Sequence, residues 1–197
     1  MPRAGLTAER IVGAAAELAD REGLDRVTVS ALARGFGVKD ASLYAHVRGL
    51  RDLRTRLALS CATEFADRIT AALAGRSGAP ALAAFALAYR TFAVHHPGRY
   101  AATQLALPPE VLADSPGHRR LVELTYALFR SYELPEPDRT DAVRLVRSTF
   151  HGFAALEAAG GFGHPRALDA SWERITEALH ATLTRWPAAA GPETLSP

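Results

Sequence analysis

The side chains best suited to recognition chemistry lie between residues 28 and 48. Lys39, Ser42 and His46 are spaced i, i+3 and i+7, which places them on one face of a helix, and Asp40 and Tyr44, spaced i and i+4, flank that face. An ammonium, a hydroxyl, an imidazole, a carboxylate and a phenol on one short helix offer the donors and acceptors that read base edges and hold phosphates in a DNA groove. Leu43 and Val47 fall on the other side and point to a core. A plain three-helix packing module, with Tyr44 as a partly buried aromatic, is the competing interpretation of the same residues.

The remaining chain holds little chemistry. There is no Gly-x-Ser-x-Gly elbow, P-loop, dinucleotide fingerprint or His-Glu-x-x-His, so no catalytic residue, cofactor or metal site is expected. His95 and His96 are adjacent and on a helix would diverge by about 100°, which makes them poor chelators. The single cysteine, Cys61, excludes a disulfide framework, fits a reducing compartment and sits in an apolar helical pattern as a buried, inert thiol.

The elements that must position these residues are helical. The 197 residues, 48% hydrophobic and 22% charged, suffice for one or two domains with a real core. Thr7 caps a helix with Ile11, Ala15 and Leu18 on one stripe, and Gly23 stops it. Val29, Leu32, Ala33 and Phe36 mark a second helix, ended by Gly35 and Gly37. A third starts near Lys39 and is broken by Gly49, and a long helix runs over about 51–74. Residues 75–80 form the clearest linker. Helices follow at 80–95, 98–106, 118–133, 138–159 and 168–186, with Pro108 and Pro109 as a stop, and a tail over 187–197 is expected to be disordered. No alternating pattern indicates a strand, so the fold class is all-α. A short helix, a glycine turn and a second short helix over 27–47 follow the helix-turn-helix plan.

The charge agrees with that plan. Residues 1–58 carry ten Arg or Lys against seven Asp or Glu, while residues 75–197 carry twelve of each. The local excess permits nucleic-acid binding by the N-terminal part. No apolar run is long enough for a transmembrane helix and no secretory signal opens the chain, so a cytoplasmic protein with no membrane partner is expected.

Thr28, Val29, Ser30, Ala31, Leu32 and Ala33, then Gly37 and Val38, then Ser42, Leu43, Tyr44, Ala45, His46 and Val47 resemble the DNA-binding domain of the TetR family of repressors. The resemblance covers about 7–57. It implies that Thr28 places its hydroxyl and neighbouring N–H groups on a phosphate and that Ser30 faces the groove. It further implies that Lys39, Asp40, Ala41 and Ser42 stand nearest the bases, with the Ala41 methyl against a thymine methyl, while Tyr44 and His46 hold phosphates. Asp40 sits awkwardly near phosphates and is either a helix N-cap or an acceptor for a cytosine amine. Where the family usually has a phosphate-binding lysine, this chain has Leu50, with Arg48 or Arg51 as substitutes.

In the C-terminal half, Val143, Val146, Phe150 and Phe153 form one apolar face of helix 138–159, and Ala142, Leu145, Thr149 and Leu156 form another. Gly152, Ala154, Ala155, Ala158 and Ala159 allow close approach, and the last helix carries Trp172, Ile175, Leu179, Leu183 and Trp186. Pairing these two helices with their copies in a four-helix bundle would bury both patterns in a homodimer. Residues 147–156 with Gly160, Gly161 and Phe162 resemble a TetR-type C-terminal domain marked by a Trp-His-Gly motif, with Phe150 in place of the tryptophan. That resemblance implies an effector pocket among the helices, with Phe85, Tyr89, Phe92, Tyr100, Gln104, Tyr126, Phe129 and His151 as candidate lining residues, though ordinary core is the alternative for each.

The expected organisation is a DNA-binding domain over 1–50 and an effector-binding and dimerisation domain over 51–186, with 51–74 as the connecting helix. The expected function is a ligand-responsive, homodimeric repressor on a palindromic double-stranded operator, released by a small, mostly apolar effector. The competing classes are a helical enzyme or small-molecule-binding protein with an incidental three-helix cap, and a helical protein-interaction module.

Overall fold

A computed structural model describes residues 5–187, and every regular element among them is helical. The tail expected over 187–197 lies, from residue 188 on, outside the described residues. The elements are α1 (Ala8–Glu22), α2 (Val29–Phe36), α3 (Asp40–Tyr44), α4 (Leu50–Leu73), α5 (Gly78–His95), α6 (Pro97–Thr103), α7 (Pro109–Ala113), α8 (Pro116–Leu128), α9 (Asp138–Ala158) and α10 (Leu168–Thr184). One 3-10 turn (Leu24–Arg26) precedes α2 and another (Phe129–Tyr132) extends α8.

Proline accounts for three segments that differ from the sequence expectation. The linker is shorter, because α5 starts at Gly78 and takes Pro80 into its first turn, where a missing N–H costs nothing. Pro97 likewise opens α6, one residue before the expected start, and that helix ends at Thr103. Pro109 starts the unforeseen α7 instead of only stopping its predecessor, and α8 begins at Pro116.

The chain divides into two compact units: residues up to 71 with 88–124, and 72–87 with residues from 125 on. Helices α4, α5 and α8 each run from one unit into the other.

In the first unit, α1, α2, α3 and the start of α4 close around Ile11, Leu18, Val27, Leu32, Leu43, Val47, Leu53 and Leu57, and Ala102 of α6 joins the same core. Helix α6 lies directly on α1. A Cβ on Gly98 would stand 2.0 Å from the Ala19 carbonyl carbon, so only glycine permits this approach. Polar contacts surround it. The Arg99 N–H donates to Asp20 Oδ1 at 2.8 Å, and His96 Nδ1 lies 3.3 Å from Asp20 Oδ2. Glu64 of α4 pairs with Arg68 at 2.9 Å and with Arg99 at 3.4 Å. Gly117 of α8 meets α4 in the same manner, since a Cβ there would lie 2.7 Å from Thr63 Cα.

In the second unit, α10 inserts Trp172 against Phe150 and Phe153 of α9, with ring centroids 4.8 and 4.9 Å apart. Phe150 is fully buried, so Phe150 and Trp172 together supply the aromatic bulk at this position. Tyr132 and His180 are bonded through the phenol oxygen and Nδ1 at 3.0 Å, and burial pushes the phenol's pKa up.

Candidate nucleic-acid interface

The interface is built by two local stops. Thr28 ends its extended segment as the N-cap of α2, its Oγ1 accepting from the Ala31 N–H at 3.1 Å. That leaves the hydroxyl proton free to donate outward. Gly37 takes a left-handed conformation (φ 64°) that closes α2, with the Val38 N–H donating to the Ala33 carbonyl at 3.0 Å. The chain then turns into α3, whose Leu43, with Val47 just beyond, is buried below.

Above that apolar floor, Thr28, Ser30, Lys39, Asp40, Ala41, Ser42, Tyr44 and Arg48 are all exposed, and His46 is half-buried. Tyr44 presents 56% of its surface to solvent, a large aromatic that nothing in folding requires to be outside. The helix is shorter than the i, i+7 spacing implied. It ends at Tyr44, and the N–H groups of His46 and Val47 both donate to the Leu43 carbonyl, at 2.9 and 3.0 Å. His46 therefore stands on the turn after α3, beside the recognition face.

Asp40 is not the N-cap. Lys39 occupies that position, and Asp40 is the first helical residue, accepting a short hydrogen bond from Ser30 Oγ. This bond ties α2 to α3 and gives the carboxylate a structural task. The exit from α3 is fixed by Asp52, a residue the sequence reading passed over. Its Oδ2 accepts the Arg48 N–H at 2.9 Å, and Arg56 Nε donates to both its oxygens at 3.0 Å. Burial pushes the Asp52 carboxyl up, but the Arg48 N–H and the Arg56 guanidinium outweigh it and hold it below its ordinary value. The signal was present in the sequence as acidic-to-basic spacing, since Asp52 lies four residues before Arg56. Leu50 is 37% exposed at the head of α4, with Arg48 and Arg51 exposed on either side.

The candidate effector-lining residues are spread over both units. In the first unit, Tyr89, Phe92 and Tyr100 are buried around Phe65, and the Tyr89 and Tyr100 hydroxyls are bonded to each other at 2.7 Å. Gln104, in the same unit, is exposed and donates to Thr103 Oγ1 at 2.8 Å. In the second unit, Phe85 and Phe129 are buried, Tyr126 is half-buried and His151 is exposed on α9. Its buried neighbours Phe150, Phe153 and Ala154 take the apolar side of that helix.

Cys61 is 2% exposed, and burial together with the nearby Glu64 charge pushes its thiol up to about 12. A thiol that stays protonated and covered is not a nucleophile. The folded protein is expected to resist iodoacetamide at pH 8 over hours and to react fully in denaturant, read by mass spectrometry. Rapid alkylation of native protein would contradict this packing.

Comparison with known proteins places this geometry in context. Residues 11–53 match the family described as bacterial regulatory proteins, tetR family, and residues 82–179 match the tetracyclin repressor-like C-terminal domain. YobS of Bacillus subtilis (strain 168), an uncharacterized HTH-type transcriptional regulator, is 35% identical over 164 residues, which is 82% of this chain and 84% of that protein. Rv0681 of Mycobacterium tuberculosis, described in the same words, is 38% identical over 161 residues, 80% of this chain and 72% of its own length. The fold is shared with Streptomyces coelicolor ActR, a TetR family protein solved in complex with actinorhodin, at a TM-score of 0.67 and 20% identity over 92% of this chain and 98% of that one.

Proposed function

The chain belongs to the TetR family of bacterial regulatory proteins, and on that premise we propose that it is a homodimeric, cytoplasmic repressor of a palindromic operator, released from DNA by a small, mostly apolar effector. The observation that carries this is the surface of α3. Polar side chains and an exposed Tyr44 stand over a buried Leu43 and Val47, on a helix held to α2 by the Ser30–Asp40 bond. That is a rigid, solvent-facing recognition element of the size a major groove admits.

In this reading Lys39, Ala41 and Ser42 meet base edges, with Thr28, Tyr44, His46 and Arg48 on phosphates. Arg51 takes the place of the lysine that Leu50 displaces. DNA reading belongs to 1–50, and effector binding and dimerisation belong to 51–186. Two copies then engage half-sites about one helical turn apart, roughly 34 Å.

Support for a dimer comes from α9. Leu156 is 49% exposed, and among the described residues nothing beyond Gly152's own helical turn lies within 4 Å of where its Cβ would be. A mid-helix glycine that no other described element of the protomer approaches, beside an exposed leucine, suits the approach of a partner helix. Effector control follows from α4, one continuous helix that begins directly after the recognition element. A shift of this lever would move the two half-sites out of register. Only an effector that prefers the DNA-incompetent arrangement has this action, because equal affinity for both states shifts nothing.

The test is selection from random duplex DNA at two salt concentrations. The expected result is an enriched inverted repeat whose affinity falls steeply with salt. No enrichment from folded, ligand-free protein would overturn the repressor reading in favour of a helical carrier or enzyme.

A further inference from the structure

The first unit contains a cleft of which the proposed DNA-reading role uses only Arg51. It lies at the head of α4, where Leu50, Arg51, Arg54 and Thr55 face the connection between α6 and α7, residues Leu105, Ala106, Leu107 and Pro108. Its volume is about 310 Å³, at the small end of the roughly 300–1,000 Å³ typical of ligand sites. The wall is mostly apolar, made of three leucines, an alanine and a proline. Two guanidinium groups and one hydroxyl come from Arg51, Arg54 and Thr55, spaced i, i+3 and i+4 on one edge of α4.

Arg54 is the unusual member. Its residue is half-buried, and its Nε is covered from solvent with no hydrogen-bond partner among the described residues. Leaving a buried N–H of a cation unbonded is costly, and such a group calls for an explanation. The neighbouring acid does not supply one. Asp52 is committed to the Arg48 N–H and to Arg56. Arg54 thus lines an apolar cleft with no acceptor for its Nε among the described residues, and its planar fork is the protein group best matched to a carboxylate.

We propose that this cleft is a binding site for a small amphipathic carboxylate, with the carboxylate on Arg54 and Arg51 and an alkyl or aryl body against Leu50, Leu105 and Leu107. The chemistry selects both parts of the ligand. Arginine and the Thr55 hydroxyl recognise the anion, while the leucine and proline wall rewards an apolar body and offers nothing to a fully hydrated ion. The site shares Arg51 with the proposed phosphate contacts, and none of the aromatic residues assigned above to an effector lines it.

Calorimetric titration of the full chain with octanoate, 1-octanol and inorganic phosphate tests the assignment. Octanoate is expected to bind, with the alcohol and phosphate each at least about tenfold weaker, because each lacks one half of the match. Arg54→Met keeps the apolar stem and removes the charge. Ala106→Trp, at an exposed position, fills the cleft from its rim. Both variants are expected to keep the wild-type melting temperature and to weaken octanoate by about tenfold or more. Should Arg54→Met melt early, Ala106→Trp alone decides. No octanoate binding by wild type would overturn the proposal, as would equal binding of octanol or phosphate, or octanoate affinity unchanged by filling the cleft. DNA is absent from every arm, so these outcomes are separate from any failure of the operator selection.

Discussion

Tyr44→Ala is expected to remove sequence-specific DNA binding while leaving the protein folded and dimeric. The side chain is 56% exposed and makes little of the core, so stability should stay within about 0.5 kcal/mol of wild type. Its proposed task is a hydrogen bond to a phosphate, which as a bond to a charged group is worth about 1.5–3 kcal/mol. A dimer makes that contact twice. The combined loss of about 3–6 kcal/mol weakens binding by roughly two to four powers of ten. Lys39→Ala should lose less affinity and relax the sequence preference, with little change in salt slope, because its ammonium is assigned to a base edge. A slope shallower by about one per protomer, with sequence preference kept, would instead put Lys39 on a phosphate. Electrophoretic shift assays on the selected operator at several salt concentrations, with sedimentation and thermal melts alongside, read all of this. Full operator affinity in Tyr44→Ala would remove that residue from the interface, and loss of the dimer or of the fold would place it in the structural core.

Gly98→Ala is expected to be the most destabilising single-methyl change in the first unit. The new Cβ would sit 2.0 Å from Ala19 C, 2.1 Å from Ala19 O and 2.4 Å from Asp20 N. All three are backbone atoms of α1, so no rotamer change relieves the clash. Helix α6 would have to withdraw from α1, opening the contacts of Asp20 with Arg99 and His96 and lifting Ala102 out of the shared core. Overpacking of this kind costs about 3 kcal/mol or more, and at about 2–4 °C per kcal/mol for a chain of this size the melting temperature should fall by roughly 10 °C. Gly13→Ala is the control. It lies on the exposed side of α1 with nothing within 4 Å, and its better helix propensity should raise stability by up to about 1 kcal/mol. Equal melting temperatures for Gly98→Ala and wild type would show that α6 does not rest on α1 as described.

The DNA-reading half was legible because its determinants are local. Thr7 acts as a cap, Gly23 and Gly37 as stops, and Leu43 and Val47 as buried floor, and each is where its residue type and spacing placed it. Prolines were less legible. Pro80, Pro97, Pro109 and Pro116 have the composition of breakers, yet each sits in the first turn of a helix, since proline ends one helix and opens the next with equal ease. The effector residues were legible only as apolar or aromatic. Spacing along a helix does not say whether the opposite wall is ligand or protein, and here Tyr89 and Tyr100 face each other.

By itself the sequence determined an all-helical chain, the positions of its stops and caps, and a short polar helix over an apolar floor. These follow from backbone hydrogen bonding and hydrophobic periodicity, which act within a few residues of each other. Tertiary structure alone decided that Asp40 bonds Ser30, that Gly98 admits α6 onto α1, and that Arg54 faces residues 105–108 in a cleft. Those contacts join residues brought together only by packing, and no local pattern encodes which distant backbone a side chain will meet.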